Sequence, residues 1–139
     1  MKDDMQATLF GEPETDPRAQ ELEEGLAQFY GGDEYYRHWL GIRYTEGVKF
    51  LADKAGAQWL IDAIASYQPE KRLRNSRRLQ EFQLWELKVD LVKHSCVLTC
   101  KEDDDYEPVV TQEIEYTDFP LDYMKLWLEG GVLLLPSEH

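Results

Sequence analysis

Apolar positions between Tyr44 and Tyr67 recur at steps of three and four residues, the period of one helical face. Val48, Leu51, Ala52, Ala55, Trp59, Ala63 and Tyr67 form one line, and Phe50, Ala57, Ile61 and Ile64 a second beside it. Lys49, Asp53, Lys54, Gln58, Asp62 and Ser66 are polar, so most of the circumference wants cover. Thr45 stands where a hydroxyl accepts from the N–H groups of a first turn. The pattern predicts one long central helix with Trp59 nearly buried. Gly56 inside it weakens the helix by about 1 kcal/mol and suggests that another segment packs close.

The flanks carry weaker patterns. Residues 1–16 are polar, contain Gly11 and Pro13, and read as an arm ahead of a domain over 17–139. Asp16 and Pro17 read as N-cap and first helical residue, with Leu22, Leu26, Phe29 and Tyr30 as the stripe that follows. Tyr36, Trp39 and Leu40 suggest a second short helix. Beyond Pro69 a charged connector runs to Arg78. Period-two alternation then predicts strands over 82–91 and 95–101, and a third from Pro108 with Val110, Ile114 and Tyr116 on one face. Their short connections require an antiparallel meander. Thr117 to Pro120 breaks the ladder, 121–128 suggests a short helix, and Val132 to Leu135 a buried strand. The expected fold is α+β, with N-terminal helices and the central helix packed on the meander.

Charge changes the picture more than composition does. The 139 residues include four Trp, five Phe and eight Tyr, enough for an ordinary core. The net charge of −13 repels nucleic acid and anionic membranes over most of the surface and favours basic partners. Residues 1–34 hold ten acids and two bases, and 101–118 hold eight acids and only Lys101. No apolar run approaches the ~20 residues of a membrane span, and the acidic start resembles no secretory signal. The chain is expected to be soluble and cytoplasmic.

Catalytic chemistry is poorly represented. Neither a glycine-rich phosphate loop nor a zinc motif nor a nucleophile elbow is written in the sequence. Cys96 and Cys100 lie in one expected strand, whose extension separates their Cα atoms by ~13 Å, too far for a disulfide. His94 shares their face, but the same extension opposes a tetrahedral site. No metal and no cofactor is therefore expected. Asp118 is the best single positioned acid, and an Asx-turn acceptor before Pro120 explains it adequately.

Five separated stretches carry a resemblance. They are YYRHW (35–39), the run from Tyr44 to Ser66, FQLWEL (82–87), YTDFPL (116–121) and GVLLLPSE (131–138). Their order and spacing are similar to an uncharacterised small domain family of bacteria, plasmids and phages, over about 35–138. The family has no established activity and so lends no catalytic residue. The resemblance implies a mobile-element setting, in which small acidic proteins counter host defence or adjust host machinery.

Three surface signals remain. Gln6, Leu9 and Phe10 form a QxxLF pattern that resembles the peptide by which bacterial repair proteins dock on the sliding clamp. Lys71, Arg72, Arg74, Arg77 and Arg78 read as a solvated connector that pairs with nearby acids. Glu102, Asp103, Asp104, Asp105 and Glu107 form an acidic tip; joined to Glu21, Glu23 and Glu24, it would make one negative face. A calcium loop is not expected there, since no glycine supplies the bend. The expected function is non-catalytic: the acidic face binds a basic or nucleic-acid-handling host protein, as a DNA mimic that inhibits it. The alternatives are a clamp-tethered accessory factor and a small enzyme of unassigned chemistry.

Overall fold

A computed structural model describes residues 16–139. Helix α1 (Pro17–Leu26) begins as the sequence requires, with the Asp16 carboxylate accepting from Arg18 N at 2.9 Å. The next element is not the short helix expected. The chain forms β1 (Tyr35–Arg37), turns through Gly41, and returns as β2 (Arg43–Thr45). Alternation explains the difference: Tyr36 stacks on Tyr44 across the strand pair, whereas Trp39 lies in the turn, 83 % exposed.

The long central helix is two helices. Gly56 adopts φ 64 and ψ 36, the left-handed conformation that closes α2 (Glu46–Ala55), and α3 (Gln58–Tyr67) starts anew. A Cβ at Gly56 would meet nothing within 4 Å, so its role is this backbone conformation and not close packing. The break resets the helical phase. Val48, Leu51, Ala52 and Ala55 are buried on α2 as expected, but α3 buries Leu60, Ile61, Ile64 and Ala65. Trp59 is thereby turned to the rim and only half-buried.

The connector folds into two short helices, α4 (Lys71–Arg74) and α5 (Arg77–Glu81), because Leu73 and Leu79 find the core. Strands β3 (Phe82–Asp90), β4 (Ser95–Lys101) and β5 (Val110–Ile114) form the antiparallel meander. The expected helix over 121–128 is instead β6 (Tyr123–Glu129), inserted between β3 and β7 (Val132–Leu134). Leu126 and Leu128 reach the helix-facing side only in an alternating strand. The seven strands run in the order β1-β2-β7-β6-β3-β4-β5, with the β2–β7 pair parallel. The fold is α+β, with helices on one face of this mixed sheet.

Gln83, 1 % exposed, ties that face to α3. Its amide oxygen accepts from Gln68 Nε2 at 2.9 Å and from Trp85 Nε1 at 2.8 Å. Its amide nitrogen donates to Gln68 Oε1 at 2.8 Å and Leu79 O at 2.9 Å, which satisfies the group completely. Cys96 and Cys100 point to the same side, free and buried, and burial pushes the Cys100 thiol up to about 12.

The far end of the chain is bolted to the start of α2. Glu138 Oε1 accepts from the Thr45 hydroxyl at 2.6 Å and from Leu135 N at 3.0 Å, and Oε2 accepts from Gly47 N at 3.2 Å. The Thr45 oxygen in turn accepts from Val48 N at 3.3 Å, so the cap and the bolt share one hydroxyl. A Cβ at Gly47 would lie 2.6 Å from Leu135 Cδ1 and 2.7 Å from the Glu138 carboxyl. Removing the carboxylate with Glu138→Ala is expected to lower stability by about 2–3 kcal/mol in urea unfolding. Gly47→Ala, normally a gain within a helix, is expected to lose about 1–2 kcal/mol by displacing that carboxylate. A stabilised Gly47→Ala protein would show that the contact yields freely.

Candidate functional site

Among the described residues strand β5 has no outer neighbour in the sheet, and its alternation divides what it offers. Gln112 and Ile114 pair with Leu98 and Cys96 and face the helices, while Thr111 and Glu113 pair with Thr99 and Val97 and face away. The Tyr67 hydroxyl donates to Gln112 Oε1 at 2.7 Å, which fixes the end of α3 above this edge. Between the two elements runs a groove of about 610 Å³. Trp59 and Ala63 come from α3, Ile114 from β5 and Tyr116 from just beyond it, and Asp62 and Asp118 supply the carboxylates. Tyr116, expected to continue the strand on the face of Val110 and Ile114, lies past its end and is 71 % exposed.

Both carboxylates are held and still wet. His38 is buried; Leu40 N donates to its Nδ1 at 3.0 Å, so Nε2 carries the proton and donates to Asp62 Oδ1 at 2.6 Å. This leaves the imidazole no free nitrogen for acid–base work, and it acts as a strut between the β1–β2 turn and α3. Arg18 Nη2 donates to Asp118 O at 2.8 Å, and Nη1 lies 3.8 Å from the Asp118 carboxylate. The turn acceptor expected of Asp118 is in fact Thr117, whose hydroxyl oxygen accepts from Phe119 N at 3.1 Å. The Asp62 and Asp118 side chains remain 54 % and 59 % exposed.

The expected acidic residues do not form the single face that charge alone suggested. Glu102 lies 3.2 Å from Arg78 Nε, and Asp104 lies 3.3 Å from Lys125 Nζ. The tip therefore sits where β5 begins, held on one side by Arg78 of α5 and on the other by Lys125 of β6. Arg18 of α1 lies beside Asp118, beyond the other end of β5, and Glu21 pairs with Lys54 of α2 at 3.3 Å. Five residues of strand separate the two ends by roughly 13–17 Å, beyond a Debye length of ~8–10 Å. Glu21, Glu23 and Glu24 on α1 are thus separate from Asp103, Asp104, Asp105 and Glu107. Glu113 lies on the helix-free side near the far end of β5, and Glu115 follows the end of that strand. Asp103, Asp105, Glu107, Glu113 and Glu115 make no ion pair with a described residue. Gln6, Leu9 and Phe10 lie outside the described residues.

The helix-free face carries one buried acid. Glu86 accepts from the Tyr123 hydroxyl, and Lys101 Nζ lies 3.1 Å from its other oxygen. Burial pushes the carboxyl up, but the Tyr123 hydrogen bond and the Lys101 ammonium outweigh it and hold the group below its usual range. The described residues contain no group of three His, Cys, Asp or Glu side chains placed to hold a metal ion. They also contain no helix long and apolar enough to cross a membrane.

These features define an α+β protein with a grooved, acidic sheet edge. A family model described as Family of unknown function (DUF6876) matches residues 20–139, and the chain belongs to that family. Neither the curated proteins nor the solved structures give a match.

The Glu86 contacts predict a pH effect. A carboxyl held lower in the folded than in the unfolded chain contributes stability that is full above about pH 4.3 and is lost as pH falls through the folded value. Glu86→Gln should therefore flatten the decline in stability below about pH 4 while lowering stability at neutral pH. Parallel acid-unfolding curves for the two proteins would show that the bonds to Tyr123 and Lys101 add nothing.

Proposed function

We propose that this chain works by binding, without catalysis of its own, and that its partner is a basic, nucleic-acid-handling protein. One observation carries the reading. The β4–β5 hairpin carries Asp103, Asp105 and Glu107 in its connecting loop, Glu113 on β5 and Glu115 just beyond it, and none of the five makes an ion pair with a described residue, although the Arg78 cation acts on Asp103 from α5. Carboxylates in such a row present the charge of a phosphate backbone to a basic surface, attract it at long range and hold its register. Occupying that surface excludes nucleic acid, so the consequence for the partner is inhibition. The mobile-element setting implied by the resemblance suits an inhibitor of host defence. The His38 geometry supports the non-catalytic part, since both ring nitrogens are engaged.

The test begins with capture from a bacterial lysate at low salt, followed by purification of the captured protein. Binding should weaken at least tenfold between low salt and about 1 M salt, and duplex DNA should compete for the same surface. A variant carrying Asp103→Asn, Asp105→Asn and Glu107→Gln keeps the shape of the hairpin and should bind about tenfold more weakly. A partner held equally well in high salt, or bound together with DNA, would overturn the proposal.

A further inference from the structure

The hairpin edge offers more than charge. Its outer strand has no neighbour among the described residues, and the groove beside it opens on the helix side of that same strand. A segment added alongside β5 would alternate as β5 does. One set of its side chains would enter the groove over Ile114 and Ala63, between Trp59 and Tyr116. The other set would meet Thr111 and Glu113 on the opposite face, with Glu115 just beyond the end of the strand, and cations suit these carboxylates.

We infer that β5 is a docking edge for an extended segment of the partner in which basic residues alternate with aliphatic ones. The inference rests on the binding reading above and names its mode. Each part of the site favours that occupant. The groove is walled by aromatic rings that bury aliphatic side chains at little entropic cost. Asp62 and Asp118 stand at its rim, more than half exposed, and would hold a lysine or arginine that flanks the apolar positions. The ring of Tyr116 is 71 % exposed and would be covered by the incoming strand. Arg72 Nη1 donates to Val109 O at 2.7 Å, which closes the upper end of the edge and fixes where the added strand must stop. The available length is then the five residues Val110 to Ile114, together with the open stretch to Asp118.

Three synthetic peptides of nine residues test it against the full chain. One alternates lysine with valine, one alternates lysine with serine, and one alternates glutamate with valine. Binding is read from tryptophan fluorescence and from amide exchange. The lysine–valine peptide should bind at least tenfold more tightly than either other peptide and slow exchange in residues 110–114. Tyr116→Ala, at a mostly exposed position, should weaken it about tenfold while leaving the melting temperature nearly unchanged. Equal binding of the lysine–serine peptide, with protection spread over 102–107, would overturn the docking edge and leave the acidic-binding reading standing. Equal binding of the glutamate–valine peptide would overturn the charge argument and with it both readings. Failure of all three peptides to bind, while the basic partner is still captured in a salt-sensitive way, would overturn the docking edge alone.

Discussion

The Glu138 carboxylate is the contact on which the arrangement depends. Thr45 and Glu138 are 93 residues apart, and bringing such distant segments together costs loop entropy that nearby hydrogen bonds do not offset. One carboxylate takes three donors there, from the Thr45 hydroxyl, Gly47 N and Leu135 N. A charge-assisted set of this kind also places negative charge at the start of α2, where the helix dipole favours it. With that end fixed, Arg43 and Tyr44 pair in parallel with Val132 and Leu133, and β1 and β2 extend the sheet. The direction of α2 follows, Gly56 turns the chain back, and α3 is delivered to the other edge above β5. The groove is the downstream result of a bond made at the opposite side of the molecule.

The sequence was legible where a residue's own chemistry sets its conformation. Asp16 with Pro17, and Thr45, announce helix starts because their side chains and φ angles act within a few residues. Strand β4 was plain because one face is buried and the other only partly so, which imposes strict alternation; β3 is buried on both faces over 83–87 and alternates only toward its end. Two of the recognised stretches, around Thr45 and at 131–138, prove to be the two halves of the Glu138 bolt. The failures have equally physical causes. Strand β6 lies between two others, so Met124, Leu126 and Trp127 are covered to different degrees on both faces and their spacing imitates a helical stripe. Gly56 is ambiguous because a helix interior and a left-handed cap both accept glycine, and only the following two residues decide.

The candidate site was half legible. Acidity along residues 101–118 is local, and the hairpin keeps it together on one edge. Joining it to Glu21, Glu23 and Glu24 required knowledge of where α1 leaves the sheet, which is set by Arg18 meeting Asp118 a hundred residues away. The groove was hidden for the same reason. Trp59 looked like a core residue and Tyr116 like a strand residue in line with Val110, and each is exposed by an element that ends or shifts phase beside it. A half-exposed Trp on one element opposite a mostly exposed Tyr on another emerges only when α3 and β5 are placed together.

An unpaired strand edge is also a hazard, and its charges bear on which partners it accepts. Two copies of this chain pairing along β5 would bring Glu113 of both onto one face, with Glu115 just beyond each strand. Like charges placed opposite one another on a sheet are destabilising, so the row of carboxylates guards against self-association and β-type aggregation. The same row does not oppose an edge bearing lysine or arginine, for which the repulsion becomes attraction. Specificity is a difference between affinities, and here one pair of side chains lowers one and raises the other. A neutral edge would have been open to every extended chain, its own included. On the proposed binding mode, resistance to self-pairing and partner choice are one physical property of the edge that carries Glu113.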